Sequence, residues 1–330
     1  MILPSMILRT SLFILSGLFP QELVDYLFSQ LILYSQVLKT TSTIKGVPMN
    51  RPVSRRSFVQ LGSALAAGIA LRGTRAAWAA DTKDAWGGWP IGVQSYSLRE
   101  FGLHDAIRHI QGMGLHFVEL FSKHLDITAT DEQIAEAKKL LTSANIKLNA
   151  HGVNRFTKDH EANRKAFAFA KKAGFRNITA DPDPESFESL DKLCAEYDVR
   201  ICIHNHGPKH RYNLIEDVAK AVKGHHPHVG ACIDAGHFIR SKEDPVKAIH
   251  ELKGRAFALH LKDDDKQDGG SHNVILGKAH LDVPGVFQAL KATQFPADGS
   301  LSLEYEANPQ NPIDDMKACL EVVKEAIAKA

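Results

Sequence analysis

One four-residue template, apolar, small, apolar, then polar or ionisable, recurs eight times between Ile91 and Glu304. The copies are Ile91-Gly92-Val93-Gln94, an imperfect His116-Phe117-Val118-Glu119, Leu148-Asn149-Ala150-His151, Ile178-Thr179-Ala180-Asp181, Ile201-Cys202-Ile203-His204, Ala231-Cys232-Ile233-Asp234, Phe257-Ala258-Leu259-His260 and Leu301-Ser302-Leu303-Glu304. Alternate residues of a strand face opposite sides, so the first and third residues point one way and the second and fourth the other. Closure of eight such strands into a parallel barrel sends the large residues to an outer helix layer. The polar fourth positions then form a ring at the strands' C-terminal ends, where barrel enzymes keep their active sites.

The intervals between successive fourth positions are 25, 32, 30, 23, 30, 26 and 44 residues, each room for a strand, a helix and two loops. Helical patterns fill them: Asp131 to Leu141, Ile215 to Val222 and Met316 to Ile327 carry apolar residues at helical spacing. Alternating strands and helices imply right-handed parallel crossovers. The expected fold class is therefore α/β, a single (β/α)8 TIM barrel over residues 90–330, preceded by an export signal.

That signal is read from Ser54-Arg55-Arg56-Ser57-Phe58-Val59, the apolar stretch Leu61 to Leu71 and the small-x-small site Ala77-Trp78-Ala79. It resembles a twin-arginine leader over 49–79, implying the twin-arginine translocation machinery as a partner and an exported, periplasmic protein. The stretch is short and broken by Gly62 and Gly68, which argues against a membrane span. Residues 1–48 would bury the arginine pair far from the start, so translation is expected to begin at Met49, a membrane-associated extension being the alternative. Without residues 1–79 the chain keeps 32 basic and 36 acidic groups, a net charge of −4 with histidines neutral. A mildly acidic domain is a poor nucleic-acid binder. Cys202 and Cys232, at small second positions, are expected as core thiols rather than a bridge.

Four consecutive copies end in His204, Asp234, His260 and Glu304. Two imidazoles and two carboxylates converging on one point form a mixed nitrogen and oxygen site suited to a divalent cation. The bland reading is a ring of mutually hydrogen-bonded barrel groups; unpaired buried carboxylates are costly, and a cation resolves their repulsion. Asp181, followed by Pro182, is expected to be structural, and Asp263-Asp264-Asp265 to be a solvated loop.

Ile203-His204-Asn205-His206-Gly207-Pro208, Cys232-Ile233-Asp234-Ala235-Gly236-His237, Leu259-His260-Leu261-Lys262-Asp263 and Leu303-Glu304-Tyr305-Glu306 resemble the last four strands of the xylose-isomerase-like barrel superfamily. That group includes sugar isomerases and epimerases, inosose dehydratase and endonuclease IV. Val118-Glu119-Leu120-Phe121, Ala150-His151-Gly152 and the segment Leu276 to Pro284 extend the likeness. In tagatose-3-epimerase-like members, metal is held by Glu, Asp, His and Glu. The resemblance carries over to Asp234, His260 and Glu304, and departs at His204, which stands in place of the first Glu. It implies Mn²⁺, with Co²⁺, Mg²⁺, Fe²⁺ or Zn²⁺ as other occupants, and a small carbohydrate as substrate.

The implied chemistry is proton abstraction beside a carbonyl, through a metal-stabilised enediolate. Glu304 is the expected metal ligand with base character, and His204 a ligand able to shuttle a proton. His151 and His206 are expected proton shuttles or hydroxyl clamps, Lys262 an oxyanion stabiliser, and Glu119 and His237 substrate contacts. Reprotonation would give an isomerase or epimerase. Loss of a β-substituent from a keto-glycoside or inosose would give a lyase or dehydratase. An endonuclease reading fits poorly with His204 and the acidic charge, and a non-catalytic sugar- or metal-binding protein would not need the proton-transfer groups.

Overall fold

The computed structural model describes residues 85–330, so the leader and the extension before it lie outside the described residues. Eight strands form a closed parallel barrel: β1 (Ile91–Gln94), β2 (Phe117–Leu120), β3 (Lys147–Phe156), β4 (Asn177–Pro182), β5 (Arg200–His204), β6 (Val229–Asp234), β7 (Ala256–Leu261) and β8 (Ser300–Leu303). Each pairs with its neighbour in sequence, and β8 closes on β1 with Leu301 beside Ile91. All eight copies of the template thus fall on barrel strands.

The connecting helices are α1 (Leu103–Gly112), α2 (Asp131–Ser143), α3 (His160–Ala173), α4 (Phe187–Tyr197), α5 (Ile215–Val222), α6 (Ala235–Arg240), α7 (Pro245–Glu251), α8 (Val283–Thr293) and α9 (Ile313–Lys329). The three helices expected from periodicity lie in α2, α5 and α9. Local chemistry sets their ends. Thr130 and Gln133 form a reciprocal capping box at α2, and Asp159 caps α3, which stops where Gly174 takes the left-handed conformation.

First and third template residues such as Ile91, Val93, Ile201, Ile203, Leu301 and Leu303 are buried in one core with Ile107, Phe167, Leu190 and Phe287 of the helices. Inside the barrel lies a second, smaller cluster of Cys202, Cys232, Phe257 and Ala258. Both cysteines are free thiols, as expected.

Three register shifts interrupt the barrel, at β2–β3, β3–β4 and β6–β7, and the first and last each reverse a side chain. At β6 and β7, Ala231 pairs with Ala256 but Cys232 with Ala258, so one extra residue is accommodated at Phe257. The Phe257 ring therefore turns into the barrel floor rather than toward the helices. A Cβ on Gly230 would lie 2.5 Å from that ring, so the floor accepts only glycine there. The Arg200 guanidinium lies 4.6 Å over the ring and bonds Asp298 at 2.8 Å.

At β2 and β3, Val118 pairs with Leu148 but Glu119 with Ala150. His151 is consequently opposite Leu120 and Ile178, both in the outer core. Its ring packs 5.1 Å from Phe169 and 5.9 Å from Phe175, and its Nε2 meets the Leu125 carbonyl at 2.8 Å. The expectation that His151 serves the site is corrected: a one-residue shift moves a side chain to the other face.

Phe257→Ala should cost about 3–5 kcal/mol of stability in urea denaturation, the usual loss for emptying a buried aromatic site. A loss below about 1 kcal/mol would contradict the packed floor.

Candidate metal centre

The C-terminal ends of β5 to β8 bring His204, Asp234, His260 and Glu304 together, all buried, with one ligand atom of each within 4.8 Å of the others. His204 Nε2 is 3.1 Å from His260 Nδ1 and 3.4 Å from Asp234 Oδ2. His260 Nδ1 is 3.5 Å from Asp234 Oδ2 and 3.3 Å from Glu304 Oε2. Ligands about 2.1 Å from one cation would be about 3.0 Å apart on an octahedral edge and about 3.4 Å apart on a tetrahedral one. The four spacings, 3.1–3.5 Å, lie within about 0.1 Å of that range. Asp234 Oδ2 is buried without a hydrogen-bond partner, an orphan that a cation would satisfy.

The local sequence fixes each ligand. Asp234 ends β6 and caps α6, its Oδ1 accepting the His237 amide at 2.7 Å, which leaves Oδ2 for the cluster. Asn205 clamps the Asp234 backbone from both sides, accepting from its N–H at 2.8 Å and donating to its carbonyl at 3.0 Å. Gly236 is required by close approach: a Cβ there would sit 2.2 Å from Asp264 Oδ2 and 2.6 Å from Lys262 Cγ.

Glu119 corrects another expectation. It is fully buried, accepting from Thr179 Oγ1 at 2.5 Å, Ser302 Oγ at 2.9 Å and His260 Nε2 at 3.0 Å. Instead of touching substrate, it sits beneath the cluster and fixes the His260 tautomer that presents Nδ1. Burial works against charge on His260, but the carboxylates of Glu119 and Glu304 override it and raise the ring's pKa above the imidazole range.

Lys262 is likewise no open oxyanion donor. It is 3% exposed, with Nζ 3.1 Å from Glu304 Oε2, 3.7 Å from Asp234 Oδ2 and bonded to Glu306. Burial favours its neutral form, yet the three carboxylates raise its pKa well above the usual lysine value. Burial would raise Glu304, and Lys262 and His260 reverse this, bringing it down to about 2.

Above the cluster opens a pocket of about 290 Å³, lined by His204, His206, His237, Glu304 and Glu306 from β5, β6, β8 and the segments after them, and by Gln94, Tyr96, Phe121, Ser122, Gly152 and Val153 from β1 to β3 and the segments after them. His206 and His237 stack with ring centroids 5.4 Å apart. Burial, then the neighbouring imidazoles, lowers His206 to about 2; burial lowers His237 to about 3 against the pull of Asp234. Both rings are therefore neutral at pH 7. A larger hollow, about 450 Å³ beside Lys123, Asp126 and Gln133, holds no metal-ligand cluster among the described residues.

Glu306 was not anticipated, although its i, i+2 spacing from Glu304 was the available signal. Gln94 holds a fourth template position, whereas Tyr96, Phe121 and Val153 hold none. Asp263 also departs from the solvated loop expected of it: its buried carboxylate accepts the amides of Asp264, Ala279, His280 and Leu281 at 2.9–3.1 Å and anchors the loop entering α8. Asp181 pairs with His210 and Arg211 at the rim, in keeping with a structural role.

Residues 184–326 match the family model of the xylose isomerase-like TIM barrel. No curated protein matches the chain. Among solved structures, a 3-keto-D-glucoside 4-epimerase from E. coli is 16% identical with a TM-score of 0.57, the match covering 72% of this chain and 99% of that one. The IOLI protein, solved with a zinc atom, is 15% identical with a TM-score of 0.60 over 73% and 98% of the two chains. An uncharacterized protein from Parabacteroides distasonis reaches 29% identity, with a TM-score of 0.58 over 72% and 99%. These likenesses agree with the closed barrel, and the matched segment of the family model contains all four clustered ligands.

Glu119→Gln should weaken binding of a divalent cation by about 10–100-fold, the range found when a ligating histidine loses its outer partner. Calorimetric titration with Mn²⁺ measures it; wild-type affinity in a variant of unchanged circular dichroism would remove Glu119 from the centre.

Proposed function

We propose that this protein is a divalent-metal-dependent carbohydrate enzyme that removes a proton from carbon beside a carbonyl, with isomerase or epimerase chemistry as the leading outcome. The observation that carries the reading is the convergence of four ligand atoms beneath a pocket that also presents carboxylates and neutral imidazoles. Its similarity to a keto-glucoside epimerase supports a keto sugar as the substrate class.

A cation held by His204, Asp234, His260 and Glu304, which we take to be Mn²⁺, would supply Lewis acidity toward a carbonyl and an adjacent hydroxyl oxygen. The remaining work falls to the chain. Glu304 Oε2 is engaged in the cluster and with Lys262, which leaves Oε1 to accept the proton as the C–H electron pair moves into the carbonyl. Lys262 holds Glu304 and Glu306 in place and offsets their charge. Neutral His206 and His237 each carry one N–H and one lone pair, so either can return a proton to the neighbouring carbon or give one to a departing oxygen.

The second outcome, elimination of a β-substituent, is favoured by one feature. His204 occupies the strand-five position where epimerase-like relatives are expected to place a glutamate, so the proton donor opposite Glu304 is an imidazole rather than a matched carboxylate. Together with the leader at 49–79, we read the enzyme as folding and taking its cation in the cytoplasm before export to the periplasm. Cell fractionation of the full-length chain tests that location.

In D₂O, metal-loaded protein should exchange deuterium into at least one member of a panel of ketohexoses, inososes and 3-keto-glucosides. A chelator should abolish the exchange, and Glu304→Gln should slow it by about 10²–10⁴-fold. The product spectrum separates epimerisation from elimination; a panel with no exchange at all would reject the proposal.

A further inference from the structure

Only three large apolar side chains among the described residues are exposed: Tyr96 at 38%, Val153 at 42% and Leu214 at 36%. Two of them, Tyr96 and Val153, line the pocket above Glu304. With Phe121 they form an apolar wall facing the histidines and glutamates.

The wall is built and held. Gln94 accepts from the Tyr96 amide at 3.1 Å and donates to the Gly152 carbonyl at 3.2 Å, joining the chain exits of β1 and β3. Ser95 Oγ accepts the Phe121 amide at 3.0 Å and brings in the exit of β2. The Phe121 ring meets Tyr96 edge-on, with centroids 5.4 Å apart. Arg99 lies 4.7 Å over the Tyr96 ring and bonds the Glu306 carbonyl at 2.8 Å, tying the wall to the catalytic side.

A free sugar carries hydroxyl groups on every side, and each one turned to the faces of the Tyr96 and Phe121 rings or to the Val153 methyls, which offer no donor or acceptor, loses hydrogen bonds. An aryl or alkyl group has none to lose and gains by covering exposed rings. We infer that the wall of Tyr96, Phe121 and Val153 binds a non-polar aglycone, so that the substrate is a glycoside of a keto sugar rather than a free monosaccharide. The inference rests on the keto-sugar reading above and names its substrate class.

The test compares methyl and phenyl 3-keto-glucosides as substrates of the metal-loaded full chain, and methyl and phenyl β-glucosides as unreactive ligands in calorimetry. The phenyl compound should be preferred by at least about tenfold in kcat/KM and in affinity. Tyr96→Ala and Val153→Ser should each compress both ratios toward one, whereas a merely structural defect lowers both compounds alike and leaves the ratios intact. Wild-type ratios near one, or ratios that survive both substitutions, overturn the inference. If neither keto-glucoside reacts, the functional reading fails, and the affinity ratio of the unreactive pair still decides whether the wall binds an aglycone.

Discussion

Glu119, Asp234 and Glu304 place three carboxylates inside a closed barrel, two of them wholly buried and one nearly so. Charges of that kind persist only where positive charge and hydrogen bonds reach them. The C-terminal end of the molecule is organised around meeting this demand. Thr179, Ser302 and His260 satisfy Glu119 from three different strands, and Lys262 lies between Asp234, Glu304 and Glu306. Even so, Asp234 Oδ2 makes no hydrogen bond, with the nearest nitrogens of His204, His260 and Lys262 3.4–3.7 Å away, and a further cation could fill that place.

The barrel interior is layered so that this demand arises at one end. The floor carries Arg200 against Phe257 and Asp298, a paired charge at the edge of solvent. Above it, Cys202, Cys232 and Ala258 make a small, uncharged middle. Burial raises the pKa of both thiols, which keeps them protonated and unreactive as metal ligands. Ligating chemistry is thereby confined to the top layer, where the strands hand over to loops that shape the pocket.

Strand and helix positions were legible in the sequence because the template has the period of a strand and its spacings leave room for a crossover. The ligand quartet was legible for the same reason, since β5 to β8 keep their alternation through their final residues. Reading by template failed where a bulge intervenes. Nothing in Leu148-Asn149-Ala150-His151 signals the extra residue that turns His151 outward, and Phe257 fills the first template position yet faces in. Depth was equally hidden: Glu119 and Glu304 both end a template copy, but the first lies below the cluster and the second opens on the pocket. Tyr96, in the turn after β1, and Val153, in the irregular second half of β3, hold no template position, so only the folded chain brings them to one wall.

His204 is the substitution on which the character of the site turns. With three carboxylates and one histidine, the arrangement expected from the epimerase-like relatives, a ligand set carries one more negative charge than a divalent cation neutralises. A divalent cation held by His204, His260, Asp234 and Glu304 would meet two carboxylate charges with no surplus, which would leave more of its field for a bound oxygen. The exchange has a second effect, on symmetry. A glutamate at position 204 would add a second acid of the quartet to the pocket lining; the imidazole leaves Glu304 beside His206 and His237, whose neutral rings belong to a different class of proton donor. For the reaction proposed above, such unlike proton-transfer groups would suit a case in which the carbon that loses a proton and the atom that gains one are not equivalent.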